Sequence, residues 1–531
     1  MTSYEYQHIA NNPLEGGTTL VARRPSRSRL DLLWSVAAIA LTAYLITAFW
    51  GETYDDVFLA YQYAKNIEAG HGFVFNRGEH FLGTPAPLFV GLLVAFHSLA
   101  PALTIPQVGT ALSCAGLGVM AHGLYTLGKF QGTRLLGAAI ALLAALNPFT
   151  LLVLGGETPI YLALVTWSLW AVTTNRQMLS GVLLGLALMN RTEALIPILL
   201  AAGTIFFSSR RMPFAFMLAV LITVSPWILF AFWEFGSPLT NSFVAKVAQV
   251  TSGRKPFPFG LARWFQLIIF GENPFLLFSI LPACVGAFAL FLSRSPYRLV
   301  ALWGIAQTLA YCITPIPFYH WYAAQIGVVA AIFIVFGMAV FPQLLSNAQA
   351  LSGDTRGMKM LRVFGSAPRA FIRLVIVVVV VAGAITASTS VRIVRRYDAR
   401  WPHAPANELY TKAGLWFAEH APPEARIAYL EIGQIAFYSE RYIIDTLGLV
   451  TLGAAGEVAK RNWLWPIKRY KPDYIIYNEY FTKWPESGLI FLEPWFVQGF
   501  TEETRISTPA YPFPLVIYKR LPGAVIPDPV S

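Results

Sequence analysis

The stretch WGETYDDVFLAYQYAKNIEAGHGFVFNRGEHFLG, residues 50–83, follows directly on the first long apolar run and carries two adjacent carboxylates, Asp55 and Asp56. Ionised acids within a few residues of a bilayer surface are costly to place without a use, so the functional reading starts from this pair. Beyond it, Val57, Ala60, Tyr61, Ala64 and Ile67 recur at three- and four-residue spacing, with Gln62, Lys65, Asn66 and Glu68 opposite. That pattern predicts an amphipathic helix lying in the membrane interface and ended by Gly70 or Gly72. One aspartate is expected to cap this helix. The same geometry suits chemistry, because a carboxylate at a helix N-terminus stays ionised and can accept a proton from a hydroxyl. Spacing does not say which aspartate takes which role.

The bilayer itself is inferred from composition. The 531 residues are 56% hydrophobic and only 13% charged, with a mean hydropathy of +0.54. A soluble domain carries about twice that charge, so the chain reads as a polytopic α-helical membrane protein. The net charge of +11 sits largely in short loops between apolar runs, which points to topology and lipid head groups and away from nucleic acid. Cys114, Cys284 and Cys312 all fall inside apolar runs and supply neither a disulfide framework nor a zinc spacing.

Apolar runs that span, or nearly span, recur at about 32–50, 106–127, 134–154, 158–174, 178–190, 194–208, 213–233, 274–293, 297–316, 322–342 and 371–390. A further run, 84–100, is short and begins with two prolines. If it does not cross, the loops holding Lys129, Arg134, Arg176, Arg210, Arg211, Arg294 and Arg298 all face the cytoplasm; if it crosses, all of them flip. It therefore reads as re-entrant or juxtamembrane, within a first outer loop of residues 51–105. The expected organisation is a disordered cytoplasmic tail at 1–29, about eleven transmembrane helices at 30–390, and an extracytoplasmic α/β domain at 391–531. In that last part RIAYLE (426–431), YIIDTLGL (442–449), PDYIIYN (472–478) and PLVIYKR (514–520) read as strands, and NELYTKAGLWFAEH (407–420) as a helix.

This topology gathers the rarer polar residues on the outer face. Glu157 lies in a tight turn, where it is either a loop acid or a helix N-terminal acid before Pro159; Arg191 and Glu193 are either a local ion pair or site residues. Lys246, with Arg254 and Lys255, departs from the charge bias of the other loops, and an anionic phosphate near lipid is a natural partner for Lys246. Arg254 and Lys255 are as well explained by head-group contacts. His320 stands in FYHWY (318–322), where Tyr319, Trp321 and Tyr322 suit an interfacial belt and the histidine suits phosphate donation or proton transfer. None of the eight histidines has a metal-ligand spacing.

Five segments together carry a family resemblance: DDVFLAYQYAKNIEAGHGFVFNRGEHFLGTPAPLF (55–89), GGETPIYLAL (155–164), ALMNRTEALIPILL (187–200), GSPLTNSFVAKV (236–247) and YIIDTLGLV (442–450). The chain resembles the GT-C class of membrane glycosyltransferases, and within it the mycobacterial terminal β-(1→2)-arabinofuranosyltransferase group. The resemblance implies inverting transfer of a sugar, arabinofuranose favoured, from a polyprenyl phosphate such as decaprenyl phosphate. The acceptor would be a cell-wall or lipid-linked glycan at the outer face of the plasma membrane. It implies a catalytic base at Asp55 or Asp56, donor-phosphate contacts from Lys246, Arg191 and His320, and substrate contacts from Glu157, Glu193, Asn241, Tyr319 and Tyr322. Some members use a divalent cation and others none, so no metal ligand is assigned. The run Asn190-Arg191-Thr192-Glu193 lacks the proline that many relatives carry there. A lipid-linked sugar flippase is the alternative, although no internal repeat or pair of interrupted helices supports it. A non-catalytic glycan-binding protein is the third reading.

Overall fold

The computed structural model describes residues 29–130, 133–266, 274–352, 403–483 and 488–529. Nearly all of the expected N-terminal tail, the apolar run at 371–390 and the expected domain boundary near 391 lie outside the described residues. Among the described residues, four helices are long and apolar enough to cross a membrane: Arg29–Ala48, Ile105–Phe130, Thr192–Ser209 and Phe214–Phe235. Leu277–Leu292 and Tyr297–Ile313 form a pair bent by 116°, and Arg134–Leu146, Thr158–Thr173, Gln177–Leu188 and Ala324–Val340 are shorter apolar helices of the same bundle. Close packing depends on small residues where backbones meet. A Cβ on Gly286 would lie 1.9 Å from the Phe333 carbonyl oxygen, and one on Gly337 1.9 Å from that of Pro282.

Polar clusters separate to the two ends of this bundle. At one end Asp31 accepts from the Tyr125 hydroxyl at 2.6 Å and pairs with Lys129 at 2.9 Å and Arg134 at 3.2 Å. The opposite end of the bundle, reached through the first helix and back along Ile105–Phe130, holds Asp55, Glu157 and Arg191.

A five-stranded sheet lies between residues 426 and 520, in the order β2-β1-β3-β5-β4. Strands β1 (Arg426–Tyr429), β2 (Tyr442–Asp445) and β3 (Tyr474–Asn478) run parallel, and β5 (Tyr511–Arg520) pairs antiparallel with β3 and with β4 (Phe500–Thr508). Every strand expected from sequence is present, each shortened or extended by a few residues. Strand β4 has no counterpart among them, because its run FTEETRIST is largely exposed and charged, as suits an edge. Helix His403–His420 covers one face of the sheet.

The helix after the Asp pair, Phe58–Glu68, does not lie in an interface as its periodicity predicts. Residues Phe58 through Ala64 are all buried, and so is Asn66. The polar stripe is consumed internally: Gln62 donates to the Phe75 carbonyl at 3.3 Å and Asn66 to those of Val74 and Phe75, both at 2.8 Å. The reason is a shared core. Tyr61, Tyr63, Phe89 and Leu93 of the outer loop pack into one apolar cluster with Leu409, Tyr410, Ile435 and Phe437 of the C-terminal part. The loop after the first helix is thus sandwiched between bundle and sheet. The segment read as re-entrant is the short helix Pro87–Leu99, packed on Phe58–Glu68, with Leu99 80% exposed.

Polar contacts stitch the same seam. Asn76 uses its side-chain amide as an extra strand residue, donating to the Ile443 carbonyl and accepting from the Ile443 N–H at 3.0 Å each. Lys65 donates to the Phe437 carbonyl at 2.8 Å and pairs with Glu440 at 2.7 Å. Asn407 donates to the Thr53 carbonyl at 2.6 Å.

Candidate active site at the seam

Asp55 opens the helical turn Asp55–Val57, but it does not cap its own helix. Its two carboxylate oxygens accept from the backbone N–H groups of Gly433 and Gln434, at 2.8 Å each. These are the first donors of helix Gly433–Ser439, so Asp55 caps a helix nearly four hundred residues away in sequence. Gly433 is required for the approach, since a Cβ there would sit 2.0 Å from the Asp55 carbonyl oxygen. Burial, aided by the Asp56 charge, outweighs the two N–H bonds and pushes the Asp55 carboxyl up to about 7. Asp55→Ala orphans two buried donors and is expected to cost about 2 kcal/mol or more. The checks are a lowered melting temperature in detergent and faster proteolytic release of the sheet-containing part.

Asp56 lines, together with Asp55, a cleft of about 90 Å³ whose other walls include Leu59, Lys246, Gln249, Arg254, Tyr319 and Glu431. Its side chain is 36% exposed, and its carboxylate lies 3.9 Å from the Lys246 ammonium. Burial raises its pKa while Lys246 and Arg254 hold it down. Lys246 and Gln249 point the same way because they stand one turn apart on helix Asn241–Thr251. Lys246, only 7% exposed, lies 3.7 Å from the centre of the Tyr319 ring. That ring stacks on Trp321, Trp321 stacks on Tyr54, and His320 meets Tyr54 edge-on at 4.7 Å. Tyr319 donates to the Gln249 side-chain oxygen Oε1 at 2.8 Å and accepts from Arg254 at 3.3 Å. The Gln249 amide nitrogen is buried and has no partner among the described residues, which leaves a spare donor in the cleft wall.

The structure therefore brings Asp55, Asp56, Lys246 and Tyr319 together, with His320 at the far end of the aromatic stack. It places Arg191, Glu157 and Glu193 in a separate buried group beneath. The guanidinium donates to Glu157 at 2.7 Å, Thr158 at 2.9 Å and Glu193 at 3.0 Å, and Tyr311 donates to Glu193 at 2.8 Å. Tyr322 links the two levels, its ring 5.6 Å from the Arg191 guanidinium. Arg191→Lys keeps the charge but loses the fork that reaches both acids. It is expected to cost about 1–3 kcal/mol, read as a lower melting temperature. Asn241 does not line the cleft; its amide donates to the carbonyls of Gly448 and Leu449 and so docks helix Asn241–Thr251 onto the sheet side. That loop is shaped by Asp445, which accepts from the Leu447, Leu449 and Val450 N–H groups.

Sequence reasoning missed Glu431 and gave Arg254 and Gln249 no site role. Glu431 had a signal: it follows a strand of a parallel sheet and precedes a glycine-opened helix, the position where open α/β sheets present ligand-binding groups. Among the described residues no three His, Cys, Asp or Glu side chains converge as a metal site.

Two crystal structures of ArnT from Cupriavidus metallidurans align over 94% of this chain and 99% of theirs. The apo state matches at 14% identity with a TM-score of 0.56, the state bound to undecaprenyl phosphate at 13% and 0.55. The Archaeoglobus fulgidus oligosaccharyltransferase, in complex with Zn and sulfate, aligns over 91% of this chain and 72% of its own at 12% identity, with a TM-score of 0.51. All of these have the GT-C fold. This chain has it too. A domain of unknown function, DUF8728, matches residues 396–513. No curated protein matches the sequence. The cleft lies where the loop that carries Asp55 and Asp56 meets the turn after β1, beside helix Asn241–Thr251 and Tyr319.

Proposed function

We propose that the chain is an inverting glycosyltransferase that moves a sugar from a polyprenyl-phosphate carrier to a glycan hydroxyl at the outer face of the membrane. The favoured sugar is arabinofuranose, on the resemblance of residues 50–450 to the arabinofuranosyltransferase group. The observation that carries the reading is the pairing, in one cleft, of a partly exposed acid, Asp56, with a cationic wall of buried Lys246 and half-buried Arg254. The neighbour bound to undecaprenyl phosphate supports a lipid phosphate as the group that this wall meets.

In this mechanism Asp56 takes the proton of the acceptor hydroxyl as the oxygen attacks the anomeric carbon from the face opposite the phosphate. The new C–O bond forms while the bond from the anomeric carbon to the phosphate oxygen breaks, its electron pair leaving with the polyprenyl phosphate. Lys246, Arg254 and the spare Gln249 N–H stabilise that charge as it develops. Arg191 is committed to two carboxylates, so its part is to hold the aromatic floor under Tyr322. Asp55 positions the seam, which leaves Asp56 as the base.

The test is transfer by the purified full chain in detergent with a panel of radiolabelled polyprenyl-phosphate sugars and a membrane glycan extract as acceptor. Product from one donor class is expected; no labelled product from any donor would end the proposal. Because Asp56 must be ionised, the rate should rise with pH through a midpoint above that of an ordinary aspartate.

A further inference from the structure

The same cleft contains a second acid from a distant part of the chain. Glu431 follows strand β1 and lines the cleft opposite the first outer loop. Its neighbours Leu430 and Ile432, 9% and 7% exposed, pack into the apolar core and line the same cleft wall. The turn is held from below by the cap of Asp55 on Gly433 and Gln434. The cleft thus joins three acids, Asp55, Asp56 and Glu431, to two cations, Lys246 and Arg254, with the spare Gln249 donor beside them.

We propose that Glu431 is the acceptor-binding residue of the site, hydrogen-bonding a ring hydroxyl of the incoming glycan next to the hydroxyl that Asp56 deprotonates. This rests on the reading of the cleft as a glycosyl-transfer site and extends it to the acceptor, whose chemistry it defines as a neutral polyol with neighbouring hydroxyls. A carboxyl group here is suited to that role. Burial, together with the charges of Asp55 and Asp56, raises its pKa well above the usual range, against the pull of Arg254 and Lys246. That shift favours the protonated acid, which donates one hydrogen bond and accepts another, as a sugar hydroxyl requires. In that state it has no charge with which to compete for the donor phosphate wall. The sheet thus places the group that selects the acceptor, while the membrane side binds the donor.

The experiment measures initial rates of transfer by the full chain while donor and acceptor concentrations are varied separately. Glu431→Ala is expected to raise the acceptor KM by about 10-fold or more, the loss of one well-formed hydrogen bond pair, while the donor KM moves by less than about threefold. Glu431→Gln keeps the shape and both hydrogen-bonding roles, so its acceptor KM stays within about threefold of wild type at neutral pH. Unlike wild type, the Gln variant shows no loss of acceptor affinity at alkaline pH. A Gln variant as impaired in acceptor KM as the Ala variant overturns the assignment, as does an Ala variant whose two KM values change in proportion. If Glu431→Ala does not accumulate as folded protein, the Gln variant decides alone. Wild-type chain that transfers from no donor sinks the underlying reading, and with it this one, before any variant is compared.

Discussion

Asp56→Asn is expected to lower transfer by about two to four orders of magnitude, the range over which removal of a general base acts. The chain should still bind polyprenyl phosphate. The amide keeps the side chain's size and lifts a negative charge from beside Lys246, so binding of the anionic lipid stays as it is or tightens. That combination separates chemistry from structure. Asp55→Asn, one residue away, makes the contrast sharp: it weakens the cap on Gly433 and Gln434 and acts through stability. Two adjacent acids in one short helical turn should thus fail in different ways, one in turnover and one in melting temperature.

Lys246→Met is the second large effect, expected at about 10²–10³-fold in turnover, the cost of removing one preorganised charge at a developing anion. Its donor KM should also rise, and free undecaprenyl phosphate should become a poorer inhibitor. Methionine fills much of the volume over the Tyr319 ring, so the helix Asn241–Thr251 and its Asn241 contacts to Gly448 and Leu449 remain. Lys246→Arg restores charge without the same reach and is expected to fall between the two. A variant with normal donor KM and normal turnover would remove Lys246 from the phosphate wall.

How much of this was legible in the sequence depends on the scale of the interaction. Apolar run length and the distribution of basic loops indicate a helical membrane bundle because those signals are local and additive. Strands β1, β2, β3 and β5 are legible for the same reason; β4 is not, because an exposed charged edge strand carries little hydrophobic alternation. The helix Phe58–Glu68 was readable as a helix but not as a buried one. Its polar face is satisfied by the carbonyls of Val74 and Phe75 and its cover comes from residues beyond 403, neither of which periodicity records.

The site shows the same division. The Asp pair was conspicuous, yet only the fold shows that Asp55 caps a helix some 380 residues away while Asp56 meets Lys246 in the cleft both acids line. Arg191, Glu157 and Glu193 looked like site residues because they share an end of the bundle, and in space they neutralise one another. Glu431 was overlooked because a single acid after a strand is common; its meaning comes from the two acids and two cations that face it. Placing it required the fold.

The most direct test of the central claim is a single measurement in proteoliposomes. Purified chain is reconstituted with a labelled polyprenyl-phosphate sugar and a glycan acceptor, and labelled glycan and lipid translocation are read from the same vesicles for wild type and Asp56→Asn. The account predicts labelled glycan from wild type, at least about a hundredfold less from the variant, and no difference in translocation between them. Translocation driven by the protein without any glycan product, or equal product from both proteins, would contradict it.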